Sequence, residues 1–396
     1  MIYLRCAEDS APYISEDFMS IEEIKSHLTG VIIPFWKKLK DEEFGGFYGR
    51  MDFNLKVHKA ADKSGILNSR ILWFFSNAFL TLGDKDCLED ARHAYVFLKK
   101  AFLDKTHNGV YWSVTHDGKP QDVTKYTYNL AFAVYALASY YDASKDYEAL
   151  DLAYELVKII EKKCRDEAGY LEAFDREFKP IENEQLSENG VIAKRTMNTL
   201  LHVYEAYTEL YRVHKNPNVE AKLKQMLEIF AEKVYNPEKK RLDVFFDLDY
   251  KSLIDLTSYG HDIEASWLID RGTDVLGLPR LALTKSLAEQ IHKIALDEDG
   301  SVFNEDEAGN VDTKKVWWVQ AEAVLGFLNA GYTETAERIW NYIKARMIDS
   351  REGSEWLNEL LKDGTPIEMD IVNGWKCPYH NGRMCFEVVN FYERGK

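Results

Sequence analysis

The sequence predicts an all-α protein, a single (α/α)6 barrel with short β-hairpins in the long loops at one end. Three observations carry this. An aromatic, glycine-punctuated segment recurs six times along the 396 residues. Each copy leads into a helix that is apolar on most faces, and an amphipathic helix follows. The repeat of about 57 to 69 residues is too long for the common solenoid units, so six units are expected to close a ring.

In chain order, residues 1–18 show no periodicity and read as a loosely attached extension, with the barrel domain over 19–396. An opening helix is expected over 20–40. The aromatic segments are FGGFYGRMDF (44–53), GVYWSVTHDGKP (109–120), GYLEAFDREFKPI (169–181), RLDVFFDLDY (241–250), GSVFNEDEAG (300–309) and GSEWLNELLKDGTPI (353–367). Most of them alternate well enough for short strands or hairpins. Helices are expected to start after them, near residues 66, 124, 193, 257, 314 and 378. The runs 126–141 and 316–330 are apolar almost all round, which suits helices buried on both sides. In 333–348, by contrast, Ala336, Ile339, Ile343 and Met347 form one stripe while Glu334, Glu337, Lys344 and Arg346 face outward. With the opening helix, this makes six inner and six outer helices. The long loops all precede inner helices, so they gather at one end, where a ligand is expected.

Composition narrows the function. A net charge of −16 without a basic patch disfavours nucleic acid and anionic membrane as partners. No apolar run reaches the length of a membrane span, and the N-terminus lacks the basic start of a signal peptide. Five cysteines without a CxxC pair suggest neither a disulfide framework nor a zinc site. A cytoplasmic monomer is the expectation. No Walker loop, dinucleotide fingerprint or metalloprotease motif is present, and nothing in the chain calls for a metal or a cofactor.

Seven of the ten histidines (27, 58, 93, 107, 116, 214 and 292) fall on outer helices or loops, where a solvated surface role suffices. The other three, His202, His261 and His380, each fall in the first turns of an inner helix, at one height of the barrel. One such histidine is ordinarily a structural group. Three at equivalent positions point to chemistry, and two bases on facing sides of a cavity are what removal and return of a proton on opposite faces of a carbon requires. Asn198 shares a face with His202, and Glu264 shares one with His261, where its carboxylate could orient the ring or bond a hydroxyl. Asp262 reads as a first-turn acid favoured by the helix dipole. Arg70, inside an apolar helix, needs an anionic partner, either a reaction oxyanion or a neighbouring glutamate. Glu322 is a further inward carboxylate, and Trp73, Tyr128, Trp317, Trp318 and Trp375 could stack on sugar faces. Two rival readings use the same residues: a glycoside hydrolase with Glu264 and Glu322 as paired carboxylates, and a glycan-binding protein without chemistry.

Five stretches resemble the cellobiose 2-epimerases of the N-acylglucosamine 2-epimerase superfamily: NSRILWFF (68–75), SENGVIAKRTMNTLLH (187–202), SYGHDIEASWL (258–268), WWVQAEAVLG (317–326) and WKCPYHNGRMC (375–385). The resemblance implies reversible inversion at C2 of the reducing-end glucose of a disaccharide such as cellobiose or lactose, by ring opening and a cis-enediolate. It implies His261 and His380 as the acid/base pair and His202 as an aid to ring opening. Arg70 and Asn198 would lie near the reacting oxygens, with Tyr128, Glu264, Trp318, Glu322 and Trp375 binding substrate. Epimerases of monosaccharides or N-acylated sugars, and aldose–ketose isomerases, are the near alternatives.

Overall fold

The apolar helices form the inner wall of a ring. A computed structural model, which describes residues 19–186 and 189–394, contains six of them: Gly65–Leu82, Thr127–Ser144, Met197–Val213, Tyr259–Leu276, Trp317–Asn329 and His380–Arg394. Each packs on the next, and the sixth returns to the first. The N-terminal 18 residues lie outside the described residues.

Local chemistry explains where these helices begin and end. The Ser64 hydroxyl accepts from Leu67 N at 3.0 Å and Thr196 does the same for Thr199 N, satisfying orphan donors of the first and third inner helices. Gly83 and Gly277, both left-handed, end the first and fourth. In the second inner helix nearly every residue is buried, because neighbours cover it on both sides.

The amphipathic helices lie outside: 85–102 against the first inner helix, Tyr147–Lys163 against the second, 217–234 against the third, Ala282–Ile294 against the fourth and 333–347 against the fifth. The opening helix, 21–37, backs the sixth, so the two ends of the described chain close the ring together. One outward assignment fails here. His27 sits on the inner face of the opening helix, buried, and its Nε2 accepts from Trp356 Nε1 at 2.8 Å. Burial depresses its pKa to about 4, so it is a neutral core group.

The strands are only two or three residues long, and their main work is between units rather than within a hairpin. The strand before each of five inner helices pairs antiparallel with the loop of the following unit: 63–64 with 113–114, 125–126 with 173–174, 195–196 with 245–246, 256–258 with 305–307, and 315–316 with 359–360. The segment 44–53 makes isolated bridges instead, and Met51 with Val372 joins the last loop to the first.

Ion pairs, each with a buried cation, repeat with the units. A cation two residues before an inner helix meets an acid from the turn after the preceding outer helix: Lys63 with Asp41 at 2.6 Å, Lys125 with Asp104 at 3.1 Å, Arg195 with Asp166 at 2.6 Å and Lys315 with Asp297 at 2.7 Å. The fourth unit has Asn236 and Thr257 at these places, so both charges are lost together. These pairs tie each loop to the helix it precedes and hold the loop end of the ring in shape.

Candidate active site

All six inner helices present a first- or second-turn side chain to one cavity of about 250 Å³ at the loop end. Arg70, Tyr128, Asn198, His202, His261, Glu264, Trp318, Trp375 and His380 all line it, nine of the ten residues to which the family resemblance gives a role, and Trp317 joins them. Glu322 does not. It is fully buried behind His380, one oxygen facing His380 and Arg383 and the other accepting from Trp267 Nε1 at 3.0 Å. Trp73 is also no part of the wall. It stacks on Tyr135 in the core, with ring centroids 5.4 Å apart.

Each cavity histidine is held through Nδ1. His202 Nδ1 lies 2.9 Å from Glu205 Oε2, His380 Nδ1 lies 2.7 Å from Glu322 Oε1, and His261 Nδ1 lies 2.8 Å from Ser258 Oγ. A carboxylate only accepts, so His202 and His380 carry hydrogen on Nδ1. In all three rings Nε2 has no hydrogen-bond partner among the described residues and is the nitrogen that faces a ligand. The sequence pairing of His261 with Glu264 is therefore replaced: Glu264 turns to Arg383, and Ser258 holds the ring.

Arg383 is the hub beneath the cavity. Its guanidinium contacts Glu205, Glu264 and Glu322, and it packs on the faces of Tyr379 and Trp267. Burial opposes ionisation of Glu205, but Arg383, His202 and Tyr379 outweigh it and hold the carboxyl at about 2. Glu264 goes the other way. Burial and the adjacent Glu322 push it up to about 7 against the pull of Arg383. Its Oε2 is buried without a partner among the described residues, as is Asn198 Oδ1, leaving two acceptors for ligand hydroxyls. Glu264, Glu322 and His380 bring three potential metal-ligand atoms within 4.8 Å of one another, but the Arg383 cation already meets both carboxylates.

His261 and His380 are kept neutral by their surroundings. Burial lowers His261 to about 3, with the neighbouring His202 adding to it. Burial, then Arg383 and Arg70, hold His380 well below the usual imidazole range. The Trp318 ring spans the two, with centroids 4.8 Å from His261 and 5.4 Å from His380.

Arg70 has none of the glutamate partners the sequence allowed. Nη2 donates to Tyr128 OH at 2.8 Å and Nη1 to the Trp375 carbonyl at 3.4 Å, while the plane lies over Phe132 and Tyr379. Among the described residues no carboxylate forms an ion pair with it. A buried cation held by rings and neutral oxygens is ready for a ligand oxyanion. Asp262 is in the first turn of the fourth inner helix, as expected, and is buried there: it accepts from Leu242 N at 2.9 Å and is pushed up to about 8 by burial.

Ser258, Glu205, Tyr379 and the hub role of Arg383 emerge only from the structure. Two of these had a legible signal, since Ser258 precedes His261 by three residues and Glu205 follows His202 by three, the spacing of neighbours on a helix. Arg383 had none, because its three acids come from other helices.

The sequence profile of the N-acylglucosamine 2-epimerase (GlcNAc 2-epimerase) family matches residues 46–383. The chain is 50% identical over 384 residues to a cellobiose 2-epimerase of Ruminococcus albus, covering 94% of this chain and 98% of that one. The solved cellobiose 2-epimerase of Bacillus thermoamylovorans superposes with a TM-score of 0.90 at 45% identity, over 94% of this chain and 99% of that one. A D-mannose isomerase, 18% identical, shares the fold with a TM-score of 0.82 over 96% of this chain and 100% of its own.

Proposed function

The chain belongs to the N-acylglucosamine 2-epimerase family and is a carbohydrate epimerase, an isomerase, and from that membership we propose that it acts on the reducing-end glucose of β-1,4-linked disaccharides, interconverting cellobiose with 4-O-β-D-glucosyl-D-mannose and lactose with epilactose. The observation that carries this reading is the trio of Nδ1-anchored histidines around one cavity, with Arg70 beside them and no acid of its own.

The C2 proton is acidic only in the open-chain aldehyde, so the site must open the ring first. His202 is assigned to that step. Either His261 or His380 then takes the C2 proton on Nε2, and the electron pair moves to O1 to give a cis-enediolate beside Arg70. The other histidine delivers a proton to the opposite face of C2, and ring closure completes the inversion. A depressed imidazole pKa suits the ring that takes the C2 proton, which starts unprotonated and able to accept; the ring that returns one first draws a proton from solvent onto Nε2, and the proton taken from C2 is released to solvent in its place. Glu264 and Asn198 supply acceptors for sugar hydroxyls. Trp375, 41% exposed at the mouth and 5.9 Å from Trp112, offers an apolar face to the second sugar. The helix ring is read as an (α/α)6 barrel, and the enzyme as a cytoplasmic monomer that needs no metal or cofactor. No helix of the described chain is long and apolar enough to cross a membrane.

The hydrolase reading loses support from geometry. Glu264 Oε1 and Glu322 Oε1 both contact Arg383 Nη2, side by side rather than flanking a bond to be cut, and Glu322 is turned away from the cavity.

The test is proton NMR of the chelator-treated enzyme with cellobiose in D₂O. A mannose-type reducing end carrying deuterium at C2 is expected. Unchanged cellobiose and lactose would overturn the proposal, and turnover of N-acetylglucosamine or free glucose alone would move the substrate to a monosaccharide.

A further inference from the structure

Ser258 stands at the N-cap of the fourth inner helix, the place that Ser64 and Thr196 occupy on the first and third. Those two hydroxyls cap their helices, each accepting from a backbone N–H at 3.0 Å. Ser258 has the same kind of side chain at the same position, yet it makes no capping bond. Its Oγ lies 2.8 Å from His261 Nδ1 instead, three residues on. A residue type favoured for capping has been withdrawn from it and given to a side chain in the cavity.

The backbone around Ser258 holds the hydroxyl in place. Residues 256–258 pair with 305–307, with Ser258 opposite Glu305, and the residue is buried. The other two cavity histidines are held by carboxylates, which accept only. A hydroxyl can anchor an imidazole without placing a negative charge behind it. No carboxylate forms a hydrogen bond or ion pair with His261 among the described residues.

We propose that Ser258 is a positioning residue whose hydroxyl accepts from His261 Nδ1–H, fixing the tautomer that presents a bare Nε2 to the cavity. This rests on His261 exchanging a proton with the substrate, as read above. A ring free to exchange tautomers would present N–H to the cavity part of the time and lose its function as a base for that fraction.

The experiment combines nitrogen-15 NMR of the histidine rings with steady-state kinetics on cellobiose, for wild type, Ser258→Ala, Ser258→Thr and His261→Gln. His261→Gln identifies the signals of that ring by their loss. The wild type is expected to show a single Nδ1–H pattern for His261. Ser258→Ala is expected to show a tautomer mixture and a kcat reduced by about 10- to 100-fold, with KM changed little. Ser258→Thr should restore both. The Ala variant should melt near wild type, because the hydroxyl it removes makes no capping bond.

An unchanged His261 pattern in Ser258→Ala, with His261→Gln inactive, overturns the Ser258 assignment and leaves the two-base reading standing. A lost pattern with undiminished kcat, in a protein where His261→Gln is also active, overturns the two-base reading itself. Failure of Thr to rescue either readout counts against the hydroxyl.

Discussion

Glu322 Oε1 lies 2.7 Å from His380 Nδ1, with the same oxygen 2.7 Å from Arg383 Nη2. The carboxylate thus shares its charge between a permanent cation and a ring that gains charge only when it takes a proton. Glu322→Gln keeps the shape but removes that stabilisation of the imidazolium and turns an amide toward Arg383. A kcat loss of about 100-fold is expected at nearly unchanged KM. Steady-state kinetics with circular dichroism as a fold control would check it, and a wild-type kcat would show that His380 works without the acid behind it.

Removing either proposed base should stop the reaction while the ring stays folded. His261→Ala and His380→Ala are each expected to lose at least about 100-fold in epimerisation. Product formation from cellobiose and a melting curve check the pair, and retained turnover in either variant contradicts the two-base assignment.

Arg70 is buried against the Phe132 and Tyr379 rings, its Cζ 4.2 Å and 4.5 Å from their centres. Lysine keeps the charge but loses the flat face and the forked donors. Arg70→Lys is therefore expected to lower kcat by about 100-fold, because the oxyanion loses an aligned donor and the ammonium stacks poorly. Mutarotation of glucose by the variant would show whether ring opening survives while C2 exchange fails.

Asp262 predicts a pH dependence of stability. Its carboxyl is pushed up to about 8 in the fold, against about 3.9 for an unfolded chain. Between those values the folded state keeps a proton that the unfolded state has released, so the stability it contributes is present at low pH and lost as pH rises through the folded pKa. Asp262→Asn cannot titrate and still accepts from Leu242 N. Its stability relative to wild type should grow from about pH 4 to about pH 8, by on the order of 1–3 kcal/mol, and level off above. Melting curves at half-unit pH steps would read this, and a constant difference would contradict it.

Gly260 is required by Trp318. A Cβ there would stand 2.5 Å from Trp318 Cη2 and 2.7 Å from Val319 Cγ2. Gly260→Ala is expected to push the indole off the two histidines it spans, costing about 1–3 kcal/mol of stability and about tenfold in kcat. Tryptophan fluorescence with and without cellobiose would detect the displaced ring, and wild-type kinetics would show that the fifth inner helix yields freely.

The parts of the site readable in the sequence were those set by one helix at a time. His202, His261 and His380 could be placed at one height because each falls in the first turns of an apolar run. Arg70 stood out as a charge within a buried helix. Glu322 was seen as an inward carboxylate, but which side of His380 it occupies depends on how the fifth inner helix is turned against the sixth. His27 looked like an outer-helix residue, and only the packing of the opening helix against Trp356 shows it as core.

By itself, the sequence determined a ring of helix pairs with aromatic loops at one end and three histidines there, because hydrophobic period and helix starts are local properties of the chain. The tertiary structure decided what backs each histidine. Arg383 reaches acids on the third, fourth and fifth inner helices, and Glu322 meets His380 across 58 positions of sequence. Such bonds turn on helix rotations and offsets of about an ångström, which periodicity does not encode and which only the packed core imposes.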